Sequence, residues 1–226
     1  MSQSRSAYEA VLFDLDGTLV DTAGDFIPAV QRLRLEAGAS PMAPERITRS
    51  VSNGSRALVT LALGLGEGDA DFEMQRQRLL EFYSEVLGQY AEPYPGIRKL
   101  LTRLEQDNLA WGIVTNKPRT YAKPLLETLN LQPQSLVCPD DVRRSKPDPE
   151  SLFLACKELN CDPDKTIYIG DHLRDIEAGQ AANMYTVAAA YGYIEEGDDA
   201  VLWGADLIAE SSEQLASLIL NITTSA

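Results

Sequence analysis

Residues 11–21, VLFDLDGTLVD, decide how the rest of the chain is arranged. The apolar run from Ala10 to Phe13 indicates a buried strand, and two carboxylates, Asp14 and Asp16, follow it with one residue between them. Because side chains at i and i+2 of a strand share a face, both carboxylates converge just beyond the strand end. Two carboxylates this close repel unless a cation lies between them, and Mg2+ is the natural partner. Taken alone, the stretch fits a solvated turn equally well.

The composition is that of an acidic globular protein of one large domain, or of one domain that carries an insertion. A net charge of -14 argues against binding to nucleic acid or to an anionic membrane surface. The same field repels an anionic substrate, so only a local cluster of cations could hold one. No apolar run approaches the ~18 residues of a membrane span, and the opening Met1–Ser6 does not resemble a signal peptide.

The cysteines and the histidine exclude several kinds of site. Cys138, Cys156 and Cys161 are odd in number and lack metal-ligand spacing, which predicts reduced thiols in a cytoplasmic protein. His172 is the only histidine. It therefore rules out a multi-histidine metal site and leaves few options for a Ser-His-Asp triad.

Residues 22–92 are predicted to be helical throughout, with no strand-like run. We call this segment the helical insertion, and it divides the chain into a core of residues 1–21 and 93–226 and an inserted helical domain of residues 22–92. Pro93-Tyr94-Pro95-Gly96 is the expected return hinge. The apolar spacing predicts four helices and one loop: Ala23–Ala37, Pro44–Val51, Arg56–Leu63 and Phe72–Leu87, with the loop at Ser52–Ser55.

After the helical insertion, strand patterns alternate with helical ones. Such alternation predicts a parallel, doubly wound α/β sheet, whose ligands bind at the carboxyl ends of the strands. The predicted strands after the first are Ala110–Val114, Ser135–Cys138, Thr166–Ile169, Tyr185–Ala189 and Asp206–Ala209.

Polar residues follow the first four predicted strands, and together they suit one kind of reaction. They supply carboxylates for a metal, a hydroxyl donor and a lysine charge at one sheet edge. That inventory fits phosphoryl transfer, which needs an oxygen nucleophile, a metal and cations on the phosphate oxygens. In strand order, these residues are Asp14 and Asp16, then Thr115, Asn116 and Lys117, then Lys146, then Asp171 with Asp175.

Four motifs in this order resemble those of the haloacid dehalogenase superfamily. They are Asp14-Leu15-Asp16-Gly17-Thr18, then Thr115, then Lys146, then Gly170-Asp171-His172-Leu173-Arg174-Asp175. The helical insertion is similar to the small all-helical cap of the phosphoglycolate phosphatase family. The resemblance covers the chain from about Tyr8 to Leu220 and implies a Rossmann-type core.

The resemblance implies a role for each motif residue. Asp14 would attack phosphorus and become an aspartyl-phosphate, and Asp16 would protonate the leaving oxygen and then activate water. Mg2+ would be bound by Asp14, the backbone carbonyl of Asp16, and Asp171, while Asp175 would orient Lys146 or a metal-bound water. The phosphoryl group would be held by Thr115, Asn116 and Lys146.

Several further residues have two interpretations. Asn53, Gly54, Ser55 and Arg56 are expected to face the cleft, where Arg56 either binds a substrate carboxylate or is a plain helix-surface arginine. Lys117 either reaches the substrate or is a solvated loop lysine. His172 is interpreted as a helix-start residue outside the chemistry. Arg174 is interpreted as a surface or ion-pair residue, and Tyr191 and Tyr193 as packing residues.

Three functions remain open from the residues. The first is a Mg2+-dependent phosphomonoesterase acting on a small metabolite, and the second is a sugar-phosphate mutase of the β-phosphoglucomutase kind. The third, a phosphoacceptor signalling module, is disfavoured because it needs a long-lived phosphoaspartate and has no use for the acid Asp16. Stretches such as residues 111–118 and 191–194 resemble phosphoglycolate phosphatases, which implies 2-phosphoglycolate or N-acetylmuramic acid 6-phosphate as substrate. Monomer and dimer are both open.

Overall fold

The computed structural model describes residues 8–224, and the expectation about Met1–Ser6 lies outside them. Its main feature is a six-stranded sheet in the order β5-β4-β1-β6-β7-β8, with every neighbouring pair parallel. This confirms the predicted doubly wound sheet. The strands are β1 Ala10–Phe13, β4 Ala110–Val114, β5 Ser135–Val137, β6 Thr166–Gly170, β7 Tyr185–Ala189 and β8 Leu207–Ala209.

The register of β1 aligns the functional strand ends. Phe13, the last residue of β1, pairs with Ile113 of β4 on one side and with Ile169 of β6 on the other. The residues that follow these three strands therefore leave the sheet at the same edge. All four residues of β1 are buried, as expected for a central parallel strand.

Helices cover both faces of the sheet. Val11 and Phe13 pack on one face with apolar side chains of α5, α6 and α9, which span Ile97–Gln106, Arg119–Thr128 and Ser212–Thr224. Leu12 packs on the other face with α7 and α8, which span Glu150–Leu159 and Leu173–Ala181. Alternate residues of one strand thus enter two separate cores.

The helical insertion has a hydrophobic cluster of its own. Its helices are α1 Ala23–Glu36, α2 Pro44–Thr48, α3 Gly54–Leu63 and α4 Phe72–Val86. The predicted helix 44–51 is too long, because a separate 3-10 turn follows it at Val51–Asn53. The predicted loop 52–55 is also wrong in part, since α3 begins at Gly54. The positive φ of Gly54, 76°, redirects the chain between the 3-10 turn and α3.

A second, two-stranded sheet joins the two ends of the helical insertion. β2, Val20–Asp21, pairs antiparallel with β3, Glu92–Pro93. The sequence predicted no strand here, because two residues are too few to show an alternating pattern. The predicted boundaries between the core and the inserted domain fall at this ribbon, and the division into two domains stays a prediction. Within residues 8–224, no helix has both the length and the apolar character that crossing a bilayer requires.

Candidate active site

Asp14 lies directly after β1 and is almost completely buried. Its Oδ1 accepts a hydrogen bond from Lys146 Nζ at 2.9 Å. Burial raises the pKa of Asp14 to about 6, while the nearby Lys146 charge opposes that rise and Asp175 adds to it. Asp14 also lines the cavity between the sheet edge and the helical insertion. Its carboxylate is therefore held at a fixed point with access to a ligand.

Lys146 connects three strand ends through its ammonium group. Besides Asp14, Nζ contacts Asp175 Oδ1 at 2.7 Å, the Tyr168 hydroxyl at 2.8 Å and the Val114 carbonyl at 2.9 Å. Burial alone would lower the pKa of Lys146, but the charges of Asp14 and Asp175 hold it above its ordinary value. The site therefore keeps a permanent positive charge beside Asp14.

Asp171, which follows β6, has one satisfied and one unsatisfied oxygen. Oδ2 accepts hydrogen bonds from Ser52 Oγ and from the Tyr193 backbone N–H, both at 2.9 Å. Oδ1 is buried and has no hydrogen-bond partner within the described part of the chain. Burial, followed by the charges of Asp14 and Asp175, raises the pKa of Asp171 to about 8. A carboxylate oxygen left in this state favours a cation nearby.

These carboxylates fit a divalent cation. Asp14, Asp171 and Asp175 offer ligand oxygens that lie within 4.8 Å of one another. Asp175, however, is already occupied by Lys146, by the Tyr168 hydroxyl at 3.1 Å and by the backbone N–H of His172 at 3.2 Å. Asp14 and Asp171 therefore have oxygens available, and a hard cation prefers such ligands.

Asp16 does not join this cluster. Its Oδ1 accepts hydrogen bonds from Lys117 Nζ at 2.8 Å and from Thr22 Oγ1 at 2.6 Å. Lys117 is only 8% exposed, so the interpretation as a solvated loop lysine is wrong. Burial alone would lower the pKa of Lys117, but the charge of Asp16 holds it above its ordinary value. The site thus contains a second carboxylate–lysine pair beside the first.

Thr115 and Asn116 follow β4 and also line the cavity. The Thr115 hydroxyl accepts a hydrogen bond from the Lys117 N–H at 3.1 Å. The Asn116 side chain donates to the backbone carbonyl of Lys146 at 3.1 Å. Asn116 therefore fixes the loop that carries Lys146, and its contact with phosphate stays a prediction.

The cavity has a volume of about 310 Å³ and lies between the helical insertion and the sheet edge. The four residues predicted to face the cleft, Asn53–Arg56, line it. Its walls are apolar in part, and three arginines contribute to its lining. The apolar residues are Phe26, Val51, Leu80, Tyr83, Pro118 and Tyr121, and the arginines are Arg56, Arg76 and Arg174.

Two of these arginines were missed or misjudged from the sequence. The sequence predicts Arg174 to be a surface or ion-pair residue, but its Nη2 donates to the Ser52 carbonyl at 2.5 Å, and its Nε is buried without a hydrogen-bond partner within residues 8–224. Arg76 gave no signal, because its pairing with Glu73 three residues earlier is typical of an exposed helix face. Arg56 pairs with Glu67 at 2.9 Å and is about half exposed.

His172 and the two tyrosines have mainly architectural contacts. His172 is the N-cap of α8, and its Nδ1 accepts a hydrogen bond from the Arg174 N–H at 3.2 Å. It therefore lies at a helix start, and its place outside the chemistry stays a prediction. Tyr191 donates to the Thr18 carbonyl at 2.8 Å. Tyr193 does more than pack, because its hydroxyl accepts from the Thr22 N–H at 2.6 Å.

The fold and the site define a class of phosphoryl-transfer enzyme with buried carboxylates and a buried lysine at the edge of a doubly wound sheet. The haloacid dehalogenase-like hydrolase family model matches residues 11–189, and the chain belongs to that family. The resemblance seen in the motifs is therefore confirmed.

Relatives extend this result over almost the whole chain. The chain is 45% identical to an N-acetylmuramic acid 6-phosphate phosphatase of Pseudomonas aeruginosa, over 95% of this chain and 96% of that one. It is 38% identical to a phosphoglycolate phosphatase of Xanthomonas campestris pv. campestris, over 91% and 94%. A crystal structure of a predicted phosphoglycolate phosphatase from Haemophilus somnus is similar in fold, with a TM-score of 0.84 at 20% identity, over 95% and 99%.

Proposed function

We propose that this protein hydrolyses a small phosphomonoester with Mg2+ as cofactor, through an aspartyl-phosphate on Asp14. One observation carries the proposal: Asp14, which pairs with Lys146, and Asp16, which pairs with Lys117, both line one cavity. A nucleophile and an acid must act on opposite ends of the same P–O bond, so they have to share a cavity. The phosphatase names of the two relatives support the same reaction.

In the first step, an Asp14 oxygen attacks phosphorus as the bond to the leaving oxygen breaks, and Asp16 gives that oxygen a proton. In the second step, the Asp16 carboxylate takes a proton from water, and the water oxygen attacks phosphorus and frees Asp14. Lys146 and the Thr115 hydroxyl hold the phosphoryl oxygens, where negative charge must be neutralised.

Mg2+ would be held by Asp14, Asp171 and the backbone carbonyl of Asp16. When bound, it neutralises charge on the phosphoryl oxygens. The unpartnered Oδ1 of Asp171 supports this assignment, because a buried carboxylate oxygen needs a counter-charge. Asp175 orients Lys146 through the 2.7 Å contact between its Oδ1 and Nζ.

We propose N-acetylmuramic acid 6-phosphate as the first candidate substrate and 2-phosphoglycolate as the second. The 45% identity to the Pseudomonas aeruginosa enzyme favours the first. The cavity supports the same choice, because its apolar walls suit a sugar ring better than a two-carbon acid. Both candidates carry a carboxylate, which Arg56 and Arg76 could bind in a chain whose net charge of -14 repels anions elsewhere.

We propose a cytoplasmic location as well. All three cysteines are free thiols, Cys138 and Cys156 being buried and Cys161 partly buried. Free thiols are the rule in a reducing compartment. Fractionation of the producing cells would test this location directly.

Phosphate release from a metabolite panel tests the proposed reaction. With Mg2+, we expect release from N-acetylmuramic acid 6-phosphate above 2-phosphoglycolate and plain sugar phosphates, loss of activity with a chelator and recovery when Mg2+ is returned. Asp14→Asn should fall to background, because the amide is a poor nucleophile. Release that is unaffected by Asp14→Asn would contradict the proposal. Isomerisation of a sugar phosphate without phosphate release would instead identify a mutase.

A further inference from the structure

Lys117 occupies an unusual position between the predicted acid and the helical insertion. It follows β4 in the core, yet its ammonium lies 2.8 Å from Asp16 Oδ1 and its side chain is only 6% exposed. Lys117 also lines the cavity. Its charge is nevertheless paired with a carboxylate of the protein itself, so the contact needs an explanation.

Two aromatic rings of the helical insertion lie next to the ammonium. Phe26 of α1 and Tyr83 of α4 stack with centroids 4.0 Å apart and planes 7° apart. Lys117 Nζ lies 5.0 Å from the Phe26 centroid and 4.8 Å from the Tyr83 centroid. Cation–π contacts of this kind are strongest where water is excluded. The two rings therefore fix Lys117, and the position of Lys117 depends on how the helical insertion packs.

The two carboxylate oxygens of Asp16 differ in their hydrogen bonds. Oδ1 accepts from both Lys117 Nζ and Thr22 Oγ1. Within residues 8–224, no group donates a hydrogen bond to Oδ2. An oxygen that already accepts from an ammonium and a hydroxyl is a poor place for a proton, so the transferable proton belongs on Oδ2.

We propose that Lys117 is the positioning residue of Asp16: together with Thr22 it anchors Oδ1, so that Oδ2 faces the leaving oxygen. This inference rests on the proposed function. As the bond between phosphorus and the leaving oxygen breaks, the proton moves from Oδ2 to that oxygen, and the Asp16 carboxylate that remains is paired with the Lys117 ammonium. Lys117 itself neither gains nor loses a proton.

Esters that differ in leaving group test this role. An alkyl phosphate leaves as a strongly basic alkoxide and needs the proton, whereas p-nitrophenyl phosphate leaves as a stable anion and hardly needs it. The readout is the ratio of kcat/KM for p-nitrophenyl phosphate to kcat/KM for the best alkyl phosphate of the panel. Because both values come from one sample, the fraction of folded enzyme cancels from the ratio.

We expect Lys117→Met, measured in the full chain with Mg2+, to raise this ratio about tenfold or more, given that a positioned acid contributes ~10²–10⁴. Asp16→Asn should raise it further and sets the upper limit. Tyr83→Leu, which removes one of the two rings next to the Lys117 ammonium, should also raise the ratio, but by a smaller factor. Lys123→Met is the matched control, since Lys123 lies on α6 with its side chain 66% exposed, and should leave the ratio unchanged.

The outcomes separate this inference from the proposed function. If the unaltered protein hydrolyses both esters but Lys117→Met and Tyr83→Leu lower both kcat/KM values by the same factor, Lys117 does not position the acid. If the unaltered protein hydrolyses neither ester, the proposed function itself is wrong. If Lys117→Met yields no folded protein, the ratio for Tyr83→Leu decides: a rise supports the inference and no change overturns it.

Discussion

At the scale of single residues, two glycines make room for the Asp171 carboxylate. A Cβ on Gly17 would lie 2.0 Å from Asp171 Oδ2, and a Cβ on Gly192 would lie 2.2 Å from Asp171 Cβ and 2.5 Å from the Gly17 carbonyl oxygen. Such distances are far inside van der Waals contact, so any side chain at either position must displace Asp171 or the backbone. The backbone on both sides therefore sets the place of this predicted metal ligand.

Gly192→Ala tests this dependence. The new methyl group displaces Asp171, so we expect the Mg2+ concentration for half-maximal activity to rise about tenfold or more, as for other changes behind a metal ligand. Gly66→Ala is the control, because its Cβ would lie 3.7 Å from the nearest atom, Asp69 Oδ2, and Gly66 is exposed. A Mg2+ dependence that is the same in both variants would contradict the account.

Residues that directly follow a strand were predictable, whereas Arg76, which reaches the cavity from within helix α4, was not. Asp14, Thr115 and Asp171 each come after an apolar run, and parallel strands bring such positions to one edge. Arg76 lies on a helix whose ion pair with Glu73 resembles ordinary surface chemistry. Arg76 reaches the cavity because of the way α4 packs on α1, and this packing cannot be predicted from the sequence around Arg76.

At the scale of elements, the start of α1 is capped from a distant part of the chain. Thr22 occupies the N-cap position, but its side chain makes no capping bond and donates to Asp16 instead. The Tyr193 hydroxyl takes over, accepting from the Thr22 N–H at 2.6 Å and the Ala23 N–H at 2.8 Å, and donating to Asp21 Oδ1 at 2.7 Å. The first helix of the insertion is therefore tied to the loop after β7.

Tyr193→Phe removes this cap: the buried Thr22 N–H loses its acceptor, and the Ala23 N–H keeps only its 3.1 Å bond to Asp21 Oδ1. We expect the free energy of unfolding to fall by about 1–3 kcal/mol, measured by denaturant titration. Tyr90→Phe is the matched control, because Tyr90 is 59% exposed, and it should change stability little. Equal stability of the two variants would show that the Tyr193 hydroxyl has no capping role.

Long elements with a clear apolar period were predictable, and very short ones were not. The six strands of the main sheet match their predicted ranges closely, because each is a largely apolar run between polar residues. The ribbon of β2 and β3 is set by pairing between residues about 70 positions apart, which only the fold brings together.

At the scale of the whole molecule, the helical insertion and the sheet edge both contribute residues to the site. The core supplies Asp14, Lys146 and Asp171, while the insertion supplies most of the apolar wall, two arginines and Ser52, whose hydroxyl donates to Asp171. The class of reaction, phosphoryl transfer, was thus predictable from the core motifs. Substrate choice depends on the shape of a cavity built from both parts, which explains why the sequence left two candidate substrates open.

The proposed reaction depends on Asp14 carrying the phosphoryl group. The most direct measurement is a single turnover with excess enzyme and Mg2+, quenched in acid and followed by mass spectrometry of the peptide that contains Asp14. We expect transient phosphate on Asp14 and none in Asp14→Asn. Phosphate on a different residue, or full turnover by Asp14→Asn, would contradict it.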